Sequence, residues 1–423
     1  MRIQTCAVGV ITCTKTRHDV EKTLTSLRGA GFPPPHLFID GQAEAPPAVS
    51  TTIRSPRIGG WPSFWLALTE MVCRQPDADL YLIVQDVVVF SQGVFDYLRD
   101  SDFPERCGVI SLFCARCING RRFGWNKLST RNGMAGIQAL AFPREAAYQF
   151  LVHPWDVNRC RDAPTALHFR DDDALKIAEV IGKWCELTGK TAITHSPSLS
   201  QCIGRAPVPH PDLANECGHN RADSFPGEQF NANQVYPAFA AQLQRWIDNG
   251  ASEQWAISGQ LWAMVYQIAR PGLHTLEFGC GLSTSLLVER GCRHIAIEHD
   301  ATFVESLKKF DPKAADTVIV CPLEGDPPWY RWQTMQKFDL ILVDGPPGYI
   351  GRRGILDHIE SLIHDRSVIF VDDACRSAEA DIAKEIAKRL NWPLIISTAG
   401  HYGFACIAKE LPARGAATPS VYK

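Results

Sequence analysis

From Leu273 to Ala408 the chain repeats one pattern: a short apolar run, a turn carrying glycine or aspartate, then a stretch with helical spacing. Few folds accommodate that alternation. Each run is too short for a buried helix and is bounded by turn residues, so it reads as a strand covered on both faces. Strands joined through helices run parallel. The pattern therefore predicts a parallel sheet with helices on both sides, an α/β doubly wound architecture.

The first half follows a looser version of the same rule. Gln4–Thr12 and His36–Ile39 read as strands, the second ending at Asp40, with a helix over Val20–Arg28 before the Pro33-Pro34-Pro35 break. A helix over Trp61–Cys73 precedes a strand Leu80–Val84 that ends at Gln85-Asp86. Val109–Phe113 and Ile137–Phe142 read as further strands, and Asp173–Leu187 as a helix. Between the blocks lies a stretch rich in Pro, Gly, Asn and His, which is loop composition. The expected organisation is two Rossmann-like doubly wound domains, 1–205 and 236–412, with a linker 206–235 and a tail 413–423.

Charge excludes two classes of partner. Lys and Arg number 43 against 46 Asp and Glu, a net charge of -3, so there is no bulk attraction to nucleic acid or anionic membrane. No stretch reaches the ~18 consecutive apolar residues of a membrane span. The start MRIQTCAVGVITC reads as a first strand rather than a secretory signal. The fifteen cysteines, many in apolar runs (Cys6, Cys13, Cys185, Cys280, Cys321, Cys406), fit reduced buried thiols in a cytoplasmic protein. The single CxxC, Cys114 to Cys117, has no second pair at zinc spacing.

The sharpest motif is Leu276-Glu277-Phe278-Gly279-Cys280-Gly281-Leu282-Ser283-Thr284, a strand running into a glycine turn and a helix. Glycines admit close approach of a ligand, and the helix start offers free N–H groups. Glu298 ends the next strand, where a carboxylate accepts hydrogen bonds from ribose hydroxyls. Thr284 replaces the third glycine of the dinucleotide pattern, and Glu277 suits a cationic group better than a pyrophosphate. A nicotinamide dinucleotide site and a ligand-free tight turn are the competing readings.

These residues resemble a class I S-adenosylmethionine-dependent methyltransferase over about 250–410, with Leu323-Glu324-Gly325-Asp326 after the third strand. Ser397–Ala408 looks like that family's closing antiparallel hairpin. The resemblance implies that Glu277, Gly279 and Gly281 hold the methionine portion, Glu298 the ribose, and Leu323 or Glu324 the edge of the adenine. Asp344 closes the fourth strand, and Asp372 and Asp373 the fifth, so carboxylates meet at one sheet edge. Three together call for a cation, and Mg²⁺ or Mn²⁺ would serve. The pattern resembles catechol-type O-methyltransferases, which implies metal ligation by Asp344, Asp372 and Asp373 and catalytic work for Asp344 and Asp372. Asp373 stands in place of the family's Asn, and Pro347 where its lysine stands. The signature Val343-Asp344-Gly345-Pro346-Pro347-Gly348 with Arg352-Arg353 also looks like plant polysaccharide methyltransferases acting on an acidic sugar. The plainer readings are helix capping for the aspartates and a solvated loop for the arginines.

Residues 1–205 resemble GT-A glycosyltransferases: Val8–Arg17 as first strand and loop, Asp40 at the second strand's end, and Tyr81-Leu-Ile-Val-Gln-Asp86 as the strand with the acidic metal motif. The family's next acidic place is Val87, and Pro197-Ser-Leu-Ser-Gln-Cys202-Ile-Gly204 carries Cys202 where the family has His. The resemblance implies a nucleotide-diphosphate sugar donor, Asp40 at the nucleotide, metal at Asp86, and Asp171 or Asp172 as catalytic base. Capping of the helix that follows is the plainer reading of that acidic triplet. Together the halves imply a bifunctional enzyme that glycosylates and O-methylates a glycan or glycolipid. The alternative is a methyltransferase whose first half only binds a glycan or nucleotide.

Overall fold

The computed structural model describes residues 2–13, 20–42, 44, 46–115, 122–130, 134–153, 173–203, 222, 224–398, 400 and 402–410. Asp171 and Asp172 lie outside these residues, as do Cys117, Gly204, most of the segment 206–223 and the tail 413–423.

The chain divides into two compact units, one of Met1–Ile118 with Gly124–Asn233, the other of Gln234–Lys423 with Asn119–Phe123. The boundary expected within 206–235 thus falls at its end. The described part of that segment is no free linker: Gln92 N–H donates to Phe230 O (2.9 Å), Ser91 Oγ to Gly227 O (3.1 Å), and Phe230 is buried. Pro and Gly density signals irregular backbone, not a lack of packing partners.

The first unit holds β1 (Cys6–Cys13), β2 (His36–Asp40), β3 (Thr51–Arg54), β4 (Leu80–Gln85), β5 (Val88–Phe90), β6 (Cys107–Ser111), β7 (Gly124–Lys127), β8 (Ala139–Pro143), β9 (Thr191–Ser196) and β10 (Ser200–Cys202). Its eight-stranded sheet has the order β3-β2-β1-β4-β8-β6-β9-β7. The first four strands are parallel, and β8 runs antiparallel to both neighbours. The helix Gly60–Arg74 lays Trp61, Phe64, Leu68 and Met71 against a core that includes Phe142, Phe150 and Trp184. β5 and β10 form a separate antiparallel ribbon.

The second unit holds β11 (His274–Phe278), β12 (Arg293–Glu298), β13 (Val318–Val320), β14 (Leu323–Glu324), β15 (Trp329–Tyr330), β16 (Phe338–Val343), β17 (Ile363–Asp372), β18 (Leu394–Ser397) and β19 (Phe404–Ala408). The sheet order is β13-β12-β11-β16-β17-β19-β18, parallel except for β19, which runs antiparallel to β17 and β18. The closing hairpin expected over Ser397–Ala408 is this β18–β19 pair. Capping sets the flanking helices: Ser258 accepts the Leu261 amide at 3.2 Å, Asp300 the Thr302 amide at 2.8 Å, and Ser377–Leu390 ends at Asn391 in the left-handed region. No described helix is long and apolar enough to cross a membrane. Of the cysteines in apolar runs, Cys6, Cys185, Cys321 and Cys406 are buried, whereas Cys13 and Cys280 keep partial exposure.

Candidate functional site

Strand order places the site. After β11 the chain moves outward to β12 and β13, then returns to the other side of β11 as β16. The carboxyl ends of β11 and β16 are a topological switch point, where open α/β sheets leave a crevice. Register then decides which side chains meet. Phe278 pairs with Ile297 and with Val343, and Val343 with Val371. The next residues along these strands, Gly279, Glu298, Asp344 and Asp372, therefore emerge together.

Two glycines make that convergence possible. Gly279 has φ +102°, which side chains rarely adopt. Gly345 lies so close to it that a Cβ there would stand 3.0 Å from Gly279 N and collide with the Tyr330 hydroxyl. A cavity of about 690 Å³ opens over them, lined in part by Cys280, Glu298, Tyr330, Asp344 and Asp372. That volume suits a small-molecule ligand.

Each acidic residue has a distinct state. Glu298 accepts the amides of His299 (2.6 Å) and Asp300 (2.8 Å) through Oε1. Asp344 keeps about a quarter of its side chain exposed, at 26%. Burial, then the charge of Asp372, pushes its carboxyl well above the usual range, with Arg352 opposing. Asp372 accepts the Asp373 amide at 2.9 Å. Burial, then the charge of Asp373, pushes it up to about 7.

Arg352 is not the solvated loop residue that its position suggests. It is 3% exposed and donates to four main-chain carbonyls and to the carboxylates of Asp344 (3.3 Å) and Asp373 (2.9 Å). Burial opposes its charge, but Asp344, Asp373 and Asp372 outweigh burial and hold its pKa above the ordinary value. Arg353, beside it, is exposed. Tyr330 is buried, and its hydroxyl has no hydrogen-bond partner among the described residues. Burial, then the Glu298 charge, raises its pKa.

Three sets of residues expected at the site in the second unit have other partners. Glu277 does not line the cavity: its carboxylate accepts the hydroxyls of Ser283 and Thr284 (2.7 Å) and stands 3.4 Å from His294 Nε2. It fixes the start of the helix Leu282–Glu289 and so the Gly279–Gly281 turn. Leu323 and Glu324 do not line it either. They form β14, and its two-residue antiparallel pairing with β15 carries Tyr330 to the cavity while Glu324 pairs outward with Arg331 at 3.0 Å. Where the divalent cation implied for Asp344, Asp372 and Asp373 would sit, Arg352 stands against Asp344 Oδ1 and Asp373 Oδ2, two of the oxygens it would use. No described cluster of His, Cys, Asp or Glu could hold a metal ion.

In the first unit, Asp40 and Asp86 follow the same edge rule at the ends of β2 and β4. Asp40 is buried, accepts the amides of Ile58 (2.7 Å) and Gly59 (3.0 Å), and lies 3.5 Å from Arg57 Nε. Asp86 is buried and accepts the Thr12 hydroxyl. Both Asp40 oxygens are thus taken by backbone amides, and Asp86 Oδ2 by the Thr12 hydroxyl. Asp173 begins the helix Asp173–Thr188.

No family model matches the chain, and no curated protein matches it. Solved methyltransferases resemble part of it. The SAH-bound methyltransferase PaMTH1 of Podospora anserina is 17% identical, covering 40% of this chain and 87% of its own, with a TM-score of 0.29. A methyltransferase of Geobacter sulfurreducens is 16% identical over 41% of this chain and 90% of its own, with a TM-score of 0.30. A TehB-like SAM-dependent methyltransferase of Corynebacterium glutamicum is 16% identical over 41% and 97%, with a TM-score of 0.28. At these values the likeness carries no functional conclusion.

Proposed function

We propose that the second unit binds S-adenosylmethionine and transfers its methyl group to an oxygen, that of a sugar hydroxyl. One observation carries the reading: register brings the Gly279–Gly281 turn, Glu298, Asp344 and Asp372 to one cavity at the switch point. Glu298, with Oε1 fixed by two amides, presents Oε2 to the ribose hydroxyls. The turn and the helix start behind it carry the methionine portion, and Asp344 faces its positive charge.

Transfer is a displacement in line with the departing sulfur. The acceptor oxygen forms a bond to the methyl carbon, the carbon–sulfur bond breaks, and its electron pair stays on sulfur as S-adenosylhomocysteine leaves. The hydroxyl proton passes to Asp372, whose single hydrogen bond among the described residues leaves one carboxylate oxygen for the task. Trp255, Tyr349 and Tyr402 line the cavity with exposed rings, which suits the apolar face of a sugar. The test is S-adenosylhomocysteine release on incubation with S-adenosylmethionine and sugar acceptors. Asp372→Asn lowers kcat at least tenfold and leaves donor affinity within twofold; unchanged kcat removes Asp372 from the reaction.

For the first unit we propose the non-transferring alternative, a glycan- or nucleotide-binding module. The commitment of Asp40 to backbone amides and of Asp86 to Thr12 favours it over sugar transfer. Nucleotide-sugar hydrolysis with Mn²⁺ by the wild type but not by Asp86→Ala would overturn this.

A further inference from the structure

The ends of β16 and β17 carry three aspartates in a pattern that suggests a divalent ion, yet a guanidinium already stands against Asp344 Oδ1 and Asp373 Oδ2. Each nitrogen of the Arg352 guanidinium donates inward. Nε reaches Pro346 O (3.0 Å), Nη1 reaches Asp372 O (2.9 Å), and Nη2 reaches Asp344 O (2.8 Å) and Asp373 Oδ2 (2.9 Å). Nη2 also stands 3.3 Å from Asp344 Oδ1. A second guanidinium, Arg376, meets the same Asp373 oxygen at 2.9 Å. Two forks thus converge on Asp373, and one of them is shared with Asp344.

A divalent ion bound by Asp344 and Asp373 would take ligand oxygens at roughly 2.0–2.6 Å. It would then stand against a guanidinium that main-chain carbonyls lock in place. Arg352 cannot withdraw without leaving those carbonyls and the Asp344 carboxylate without their guanidinium partner. The planar fork suits this position: it spans carbonyl and carboxylate oxygens from β16, β17 and the turn between Asp344 and Arg352, which a compact ammonium cannot do.

We infer that Arg352 is the resident cation of this site, so that the second unit binds its methyl donor and transfers the methyl group without a divalent metal. The inference rests on the donor-site reading above. It also sorts the carboxylates. Asp373 Oδ2 meets two guanidinium groups, and Asp344 Oδ1 shares one of them. Asp372 lines the cavity and its carboxylate accepts only the Asp373 amide among the described residues, which leaves it for the acceptor's proton. Arg352 is a positioning residue: it holds the ends of two strands and touches no reacting atom.

The test uses the full chain after dialysis against EDTA, in two separate titrations. In the first, calorimetry with S-adenosylhomocysteine is run in EDTA, in Mg²⁺ and in Mn²⁺; the dissociation constant agrees within twofold in all three. In the second, Mn²⁺ alone is titrated into the wild type and into Asp344→Asn, with bound ion read by electron paramagnetic resonance; the two isotherms coincide. A stoichiometric Mn²⁺ site in the wild type that is lost in Asp344→Asn overturns the inference. So does a tenfold or larger loss of S-adenosylhomocysteine affinity in EDTA that either ion restores. Arg352→Lys keeps the charge but not the fork, and weakens S-adenosylhomocysteine at least tenfold; full retention of affinity overturns the positioning role. The Mn²⁺ titration needs no Arg352 variant to fold. If the wild type binds no S-adenosylhomocysteine under any condition, the donor-site reading fails, and the Mn²⁺ result still decides the cation question.

Discussion

Both units carry acidic residues to the carboxyl edge of a central run of parallel strands, and the two sets end in opposite states. In the first unit Asp40 holds the Ile58 and Gly59 amides and Asp86 holds the Thr12 hydroxyl, both nearly free of solvent. In the second, Glu298, Asp344 and Asp372 face a cavity of about 690 Å³, and a buried tyrosine hydroxyl among them has no partner among the described residues. Topology explains where the carboxylates arrive. What their oxygens already bind decides whether they can serve a ligand.

The largest way to break this contrast is to close the second unit's switch point. Gly345→Val places a side chain against Gly279 and the Tyr330 hydroxyl. Overpacking of about 3 kcal/mol corresponds to roughly 100-fold weaker S-adenosylhomocysteine binding by calorimetry. Wild-type affinity in this variant would place the ligand elsewhere.

The next prediction sharpens the first unit as a packed, non-exchanging body. His195 is buried, within 2.8 Å of the Tyr97 hydroxyl and 2.7 Å of Pro197 O, and burial lowers its pKa from 6.5 to about 4. The folded chain keeps it neutral while the unfolded chain takes a proton near pH 6.5. Its contribution is therefore complete above about pH 6.5 and is lost as pH falls toward 4, of order 3 kcal/mol. Urea denaturation followed by Trp fluorescence over that range shows the slope, and His195→Gln flattens it.

A middle-sized effect separates holding a turn from holding a ligand. Glu277→Gln weakens charge-assisted bonds to Ser283 and Thr284, worth ~1–2 kcal/mol. S-adenosylhomocysteine binds about tenfold less tightly, with kcat within about twofold. A collapse of kcat would return Glu277 to the reacting centre. The smallest effect is Glu324→Ala, which removes an exposed ion pair with Arg331 worth ~0.5 kcal/mol or less. Donor affinity within about twofold is expected, and a tenfold loss would restore Glu324 to the adenine edge.

Much of the second unit was legible because its strands are long and buried on both faces: β11, β12 and β16 fall where the apolar runs place them, and Glu298 and Asp344 follow from strand ends alone. Arg352 was not legible. It lies in an aperiodic turn after Gly348, and its burial depends on carbonyls that only the folded sheet edge assembles. Tyr330 and Glu324 depend on β14 and β15, two residues each, too short for any alternation to register. In the first unit β3, β5, β7 and β10, of three or four residues, were missed for the same reason.

The account turns on where the methyl donor binds. Calorimetric titration of S-adenosylmethionine into the full chain, with Glu298→Ala and Asp86→Ala measured alongside, tests it most directly. One site per chain is predicted, at least about 30-fold weaker in Glu298→Ala, a change of ~2 kcal/mol, and unchanged within twofold in Asp86→Ala. No binding by the wild type, or binding indifferent to Glu298→Ala, would contradict it.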